Sequence, residues 1–430
     1  MFSRAASFRP YLSFTKKYMK ILLLLICWLI IDLPSSGQAI STDQIIDRLK
    51  TETRNDKRSI LILELAGMPT TNHTNKKYNS IVQMLMQWYA TNPDPGVHSA
   101  IDYFFRHDPK RSPTLTEIEK LDKPLRGQPR ANRNWFLTTE GHTMAIINGP
   151  VSFYMGSPLT EKLRDTDEVR HHRTIPRSFA VSTKEITVEQ FQKFLDQHPE
   201  IKQQARADPS KDPSRENPKL RVFSPDDRCP QILVTWYEAA QYCNWLSKQE
   251  GIPDNEWCYP PVENIKSGMQ MPKDNLERIG YRLVTEAEWE YACRAGSTSS
   301  RFYGESDEML SEFARYSKNP PTRKGMANYP NDPAHTQVVG SLKPNAFGLF
   351  DVYGNVWEWC HSRRLPYTKD SAIDREHEAF TITDSVAMVR RGGSFSYGKD
   401  VMRSAHRGST GYYPMQRRDN VGFRIAKTIR

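Results

Sequence analysis

The sequence predicts an α+β domain of low regular content from Trp135 to the last residue, preceded by a small all-α segment, and three observations predict it. First, three helix starts carry capping boxes, Thr187-x-x-Gln190, Thr235-x-x-Glu238 and Thr285-x-x-Glu288, each followed by an aromatic-rich stretch. Second, the strand-like pieces between them are short and punctuated by Gly and Pro, so no long sheet is expected. Third, seven of the nine Trp lie between Trp135 and Trp359, which places the aromatic core in this part of the chain.

Residues 1–39 read as a targeting segment. Basic residues lead into an apolar run, Ile21 to Ile31, ended by Asp32 and followed by Ser35-Ser36-Gly37-Gln38-Ala39. The run is shorter than the roughly 20 apolar residues of a spanning helix. It is a signal peptide with a mature start near Ile40, or an uncleaved N-terminal membrane anchor; Met1 and Met19 are alternative starts. Either way the rest of the chain is exported, to a periplasm or beyond the cell. Cys27 sits in no obvious lipobox.

Residues 41–110 read as helical and repeat-like. Asp43 to Leu49, Ser59 to Leu65 and Ile81 to Tyr89 place apolar residues near i, i+3 and i+4. Asn92-Pro-Asp-Pro-Gly96 is a break, and His98 to Arg106 a further amphipathic helix. Residues 111–134, Pro- and charge-rich, read as a linker.

Composition limits the function classes. With 38% hydrophobic and 26% charged residues the chain can build a core, which excludes a disordered or collagenous protein. Of the net charge of +10, +4 belongs to residues 1–39, and the remaining +6 forms no basic stripe, so nucleic acid is not an expected partner. Beyond the leader stand five Cys, at 229, 243, 258, 293 and 360. An odd number leaves at least one thiol free or paired between chains. Cys243 and Cys258 are close enough in sequence for a local bridge.

Four stretches carry a family likeness. Tyr281-Arg-Leu-Val-Thr-Glu-Ala-Glu-Trp-Glu-Tyr-Ala-Cys-Arg-Ala-Gly296, Asn345-Ala-Phe-Gly-Leu-Phe-Asp-Val-Tyr-Gly-Asn-Val-Trp-Glu-Trp359, Arg391-Gly-Gly-Ser-Phe395 and Asn420-Val-Gly-Phe-Arg-Ile-Ala426 resemble the motifs of the formylglycine-generating enzyme, or sulfatase-modifying factor, family. Met155-Gly-Ser and Lys184-Glu-Ile-Thr-Val-Glu-Gln-Phe resemble its opening. The likeness runs over residues 135–430 and implies a compact, irregular fold distantly similar to C-type lectins. Residues 78–107 resemble a helical segment that precedes this domain in planctomycete-type proteins, some of which carry a kinase; no kinase motif occurs here.

The best-known members of that family bind copper with two Cys after the Gly-Gly-Ser motif and oxidise a substrate Cys to formylglycine. Here the first of those positions falls on Tyr397 and the second near Lys399–Met402, so the resemblance implies an atypical member without that chemistry and without copper. Family disulfide positions fall on Cys243 and Cys293, but their partners fall on Ile425 and Ser404; Cys293 is then a buried thiol, and Cys243 is left for Cys258. The likeness further implies calcium at the hallmark turn, through the carboxylates of Asp351 and Glu358 and the carbonyls of Gly354 and Val356, with a second site beginning at Asn328 and Tyr329. Hard oxygen donors on a tight turn suit that ion.

Iron, used by related sulfoxide synthases, is not expected. His73, His98 and His107 lack the His-x-x-x-His spacing, and His142, His171 and His172 read as solvated loop histidines. Arg403, Arg407 and Arg424 match family arginines and read as fold-internal ion pairs or a groove wall. Tyr397, Ser396, His406 and Arg407 are the candidates for lining a cleft. Three functions remain open: a module binding a protein, peptide or glycan; an enzyme with other chemistry; and an adaptor displaying a lectin-like domain.

Overall fold

The computed structural model describes residues 40–68, 75–107, 115–205, 213–214, 216–318, 335–367, 380–409 and 411–430. The leader, His73, Asn328 and Tyr329 lie outside these residues. Among the described residues no helix is long and apolar enough to cross a membrane.

The N-terminal segment is built from α1 (Thr42–Thr51), α2 (Asn55–Ala66), α3 (Asn75–Thr91) and α4 (Pro95–His107). Ser41 caps α1 reciprocally with Gln44, and the Asp94 carboxylate accepts from Val97 N–H at the start of α4. Their apolar faces enclose a core of Ile45, Leu49, Ile62, Leu65, Ile81, Leu85, Ile101 and Phe104. The expected 111–134 linker is partly helical: α5 (Leu115–Asp122) buries Ile118 in this same core, which outweighs the Pro and charge around it.

Past it come β1 (Trp135–Leu137), β2 (Thr143–Ile147), β3 (Val151–Met155), β4 (His171–Ile175), β5 (Ser178–Ser182), α6 (Val188–Gln197), α7 (Pro199–Ala205), α8 (Pro218–Phe223) and α9 (Trp236–Gln249). β6 (Met269–Gln270), β7 (Tyr281–Leu283), α10 (Glu286–Arg294), α11 (Leu310–Phe313), β8 (Ala314–Arg315), β9 (Tyr353–Gly354) and β10 (Trp357–Arg363) follow. The chain closes with β11 (Thr381–Ile382), β12 (Met388–Arg391), β13 (Val421–Phe423) and β14 (Ile425–Ile429). All three capping boxes form, at the starts of α6, α9 and α10.

The largest sheet has the order β1-β2-β5-β14-β7, all antiparallel. A three-stranded sheet, β12-β10-β13, pairs β10 antiparallel to β12 and parallel to β13. Two aromatic cores lie on either side of this frame, one around Phe191, Trp236, Tyr242, Trp245 and Trp359, the other around Trp289, Tyr303, Tyr353 and Cys360.

The helical segment is seated on the domain by matched polar and apolar contacts. His98 stacks on Trp135 at 3.7 Å, and the Trp135 indole donates to the Asn92 carbonyl at 2.8 Å. Lys184 Nζ lies 2.5 Å from buried Asp102, which also pairs with Arg106; burial alone raises that carboxyl, but the two cations hold it well below its ordinary range. Gly96 lies so close to the backbone of Ala346 that a Cβ would stand 2.4 Å from its carbonyl oxygen, so only glycine admits this approach.

Candidate functional site

The hallmark turn joins β9 to β10. Asp351 and Asn355 both take φ of +55°, and Gly354 takes +80° with its backbone against the Arg315 carbonyl, where a Cβ would stand 2.0 Å away. The turn's donors find a carboxylate the sequence reading missed: Asn355 Nδ2 and Val356 N–H donate to Glu185, at 2.6 and 3.2 Å. Asp351 accepts from Gly340 N–H at 2.7 Å. Both acids are buried. Burial, then the neighbouring Asp351 and Glu358 charges, push Glu185 well above the usual carboxylate range. Asp351 rises to about 6, chiefly through burial.

Glu358 does not face a cation site. Arg424 closes on both its oxygens, at 2.6 and 2.7 Å, and the Trp289 indole donates to one of them at 2.8 Å. A guanidinium therefore stands where the expected calcium would draw charge from Glu358. The set of Asp351, Gly354, Val356 and Glu358 does not fit a calcium ion on that count.

The arginines resolve as ion pairs. Arg403 binds Glu168 at 2.6 and 2.8 Å and Glu161 at 2.6 Å. Arg407 binds Glu286 at 2.7 and 2.9 Å. Arg282 binds Glu288 through two bonds of 2.6 and 2.7 Å, and Arg391 reaches Glu290 at 2.6 Å. Arg407 is thereby removed from the candidate cleft, because its partner lies on the buried side of α10.

The thiols stay apart. All five described cysteines are buried, and no disulfide joins any two of them. The expected Cys243–Cys258 bridge is absent, because Cys258 Sγ points instead at the Gly280 carbonyl, at 3.2 Å. Cys293 donates to Ser404 Oγ at 3.7 Å, across the positions where family members would have a disulfide. Burial pushes Cys293 up to about 11 and Cys258 up to about 12, and raises Cys229 and Cys243 as well. Neutral buried thiols are poor nucleophiles and poor metal ligands.

The histidines are likewise taken up by the fold. His142, expected in solvent, is buried between Tyr242 Oη at 2.7 Å and Thr138 Oγ1 at 2.8 Å. His171 is buried on β4 with Nδ1 on the Val169 carbonyl, while its neighbour His172 is exposed. His98 and His107 engage main-chain carbonyls through Nδ1, at 2.9 Å each, and offer iron no paired ligands.

What remains is an aromatic cluster at the end of the three-stranded sheet. Tyr397, where the family's first copper Cys would fall, packs edge-on against Trp357 at 5.4 Å. His406 lies 5.7 Å from the same indole, but its Nδ1 is turned to Asp165 and Glu168, at 3.2 and 3.5 Å. Those three groups have metal-ligand spacing, yet Glu168 is already neutralised by Arg403. Ser396 Oγ is spent on Ser394 and Asn420, at 3.0 and 3.1 Å.

The residue the sequence reading missed here is Arg390. Its guanidinium lies 4.3 Å from the Trp357 ring centre and 3.2 Å from that of Tyr412. Gly408 passes directly over its stem, where a Cβ would stand 2.4 Å from Arg390 Cγ. Tyr397 and Tyr412 are half-buried and form the open side of the cluster.

A family model described as the sulfatase-modifying factor enzyme 1-like domain matches residues 136–429. The chain is 37% identical to the formylglycine-generating enzyme of Streptomyces coelicolor over 207 residues, 46% of this chain and 52% of that protein. It is 36% identical to the chaperone protein LppX of Paenibacillus barcinonensis over 149 residues, 32% of this chain and 53% of that protein. It is 29% identical to the serine/threonine-protein kinase pkn1 of Chlamydia pneumoniae over 270 residues, 61% of this chain and 35% of the kinase. The chain thus spans about half or less of the length of these relatives. Among solved structures, PvdO from Pseudomonas aeruginosa is similar with a TM-score of 0.47 and 22% identity, covering 69% of this chain and 98% of that one.

Proposed function

The chain belongs to the sulfatase-modifying factor enzyme 1-like family, and we propose that it is an exported member that binds a ligand and does not make formylglycine by copper oxidation. One observation supports the reading: Tyr397, the residue that the motif likeness aligns with the family's first copper cysteine, is a phenol packed edge-on against Trp357. Cu(I) is a soft ion that takes thiolate in preference to hydroxyl or phenol. The described cysteines do not compensate. They are buried, unpaired with one another, and four of them are held toward the neutral thiol.

The same positions suit binding. Trp357, Tyr397 and Tyr412 offer flat apolar faces, and indole and phenol groups supply polar edges at low conformational cost. The rigid sheet and the ion pairs of α10 hold these rings in place. Export belongs to this reading on the strength of residues 1–39.

The test is direct. Copper-loaded protein is incubated under oxygen with a Cys-x-Pro-x-Arg peptide and the product weighed by mass spectrometry. No aldehyde above a protein-free control is expected. Aldehyde formation would return the chain to the oxidases.

A further inference from the structure

We propose that Arg390 is the anion-binding group of this aromatic cluster, and that the ligand it receives is a carboxylate carried on a flat apolar body. The inference rests on the ligand-binding reading above and names the chemistry of that ligand.

Arg390 is 1% exposed, yet Nε and Nη1 have no hydrogen-bond partner. Nη2 donates to Ser409 Oγ at 3.3 Å, and the Tyr397 and Tyr412 hydroxyls are its other hydrogen-bonding neighbours. It makes no ion pair among the described residues; its near neighbours are the Tyr397 and Tyr412 hydroxyls and the rings of Trp357 and Tyr412. The Trp357 indole N–H, in the same cluster, is also buried without an acceptor. One buried positive charge is therefore enclosed with neutral hydroxyls and rings around it and with no carboxylate to balance it among the described residues. Leaving buried donors unmet costs about 1–3 kcal/mol each, and more for a charged group. Hydroxyls can meet part of the hydrogen bonding but not the charge, which a bound anion would balance.

The kind of anion follows from charge and shape. One guanidinium balances one negative charge. A dianionic phosphate would leave a charge uncompensated among aromatic rings, where burial of charge is costly. A carboxylate is a planar monoanion whose oxygens accept from guanidinium and indole N–H. The walls are ring faces, so the group bearing the carboxylate is expected to be apolar and flat. Tyr412 is half-buried and forms the solvent side of the cluster.

The probe is benzoate, titrated by calorimetry into the full chain, with benzamide and inorganic phosphate as separate arms. Benzoate is expected to bind in the millimolar range or tighter, and to raise the melting temperature. Benzamide, which matches its shape without the charge, is expected to bind at least about tenfold more weakly, a difference of about 1.4 kcal/mol. Arg390→Met should weaken benzoate by the same factor or more, and Arg390→Lys should keep part of the affinity. Circular dichroism establishes that both variants are folded, and the Lys variant retains the test if the Met variant is not. Absence of benzoate binding, equal binding of benzamide, equal binding to Arg390→Met, or tighter binding of phosphate would each overturn the assignment. Aldehyde production in the peptide assay would remove the ligand-binding reading and leave this binding result standing by itself, so the two failures are separable.

Discussion

Arg390 and Arg391 are consecutive on β12 and equally buried, but they face opposite sides of the strand and meet opposite environments. Arg391 enters the space beneath α10, where it reaches Glu290 at 2.6 Å, Glu286 at 3.2 Å and the carbonyls of Ser404 and His406 at 3.1 and 3.0 Å. Arg390 enters a cluster of rings and meets only neutral hydroxyls among the described residues, those of Ser409, Tyr397 and Tyr412. A strand sends successive side chains to opposite faces, so a single Arg-Arg pair serves two purposes. The comparison separates charges that the fold consumes from a charge that it leaves available. A buried charge without a counter-charge costs several kcal/mol. Stability alone therefore accounts for the residue at 391 and would favour a neutral one at 390.

The largest expected effect breaks the consumed side. Glu290 holds Arg391 on one oxygen and Arg294 on the other, at 2.6 and 2.8 Å. Glu290→Gln should destabilise the chain by about 3–5 kcal/mol, because Arg294 loses its buried counter-charge and Arg391 is left with Glu286, which Arg407 already shares. Denaturant unfolding should show a lower midpoint at unchanged slope. A shift below about 1 kcal/mol would mean that the pairs beneath α10 are as dispensable as surface ones.

The buried acids of the hallmark turn give an intermediate effect of opposite sign. Asp351 is raised from its ordinary 3.8 to about 6, with burial as the main cause. The folded state thus holds this proton more tightly than the unfolded chain does. Its contribution is fully present below about pH 4 and is lost as pH rises through about 6. Asp351→Asn keeps an acceptor for Gly340 and suits the positive φ. It should gain up to about 3 kcal/mol at pH 7 and nothing at pH 4, by the usual conversion of a pKa shift. Thermal melts across that range decide the matter. Calcium sharpens it: a calcium-dependent rise in melting temperature that disappears in Asp351→Ala would reinstate the metal turn despite the Glu358–Arg424 pair.

The two kinds of charge also differ in how far the sequence reveals them. Capping boxes such as Thr285 with Glu288 are local, three residues apart, and all three form as read. The Ser404 position opposite Cys293 follows from the family motifs, and the two side chains do meet. An arginine's counter-ion is another matter. Arg424 finds Glu358 across 66 residues and Arg403 finds Glu168 across 235, distances at which no spacing rule operates. Glu185, beside Lys184 in the opening motif, gave no sign that it would cap a turn some 170 residues later. Arg390 was hidden by its neighbour, since Arg-Arg before Gly-Gly-Ser reads as one basic doublet. The alternation of a strand was the signal available, because only one of the pair could reach the acids of α10.

The smallest expected effect falls on Arg390 itself, and it tests the comparison most sharply. Arg390→Met removes an unpaired buried charge and retains a flexible apolar stem of similar reach under Gly408. It forfeits the cation–π contacts to Trp357 and Tyr412, worth about 0.5–2 kcal/mol each depending on desolvation. It recovers the cost of burying the charge and its unmet donors, which is of the same order or larger. The two terms nearly cancel, so stability should stay within about 1 kcal/mol of the wild type, on the stabilising side. Chemical denaturation of Arg390→Met and Glu290→Gln side by side measures the contrast. If both variants lost several kcal/mol, Arg390 would be held by a counter-charge after all, and the distinction between its two neighbouring environments would collapse. If only Glu290→Gln loses stability, the guanidinium at 390 is free to spend its charge on something other than the fold.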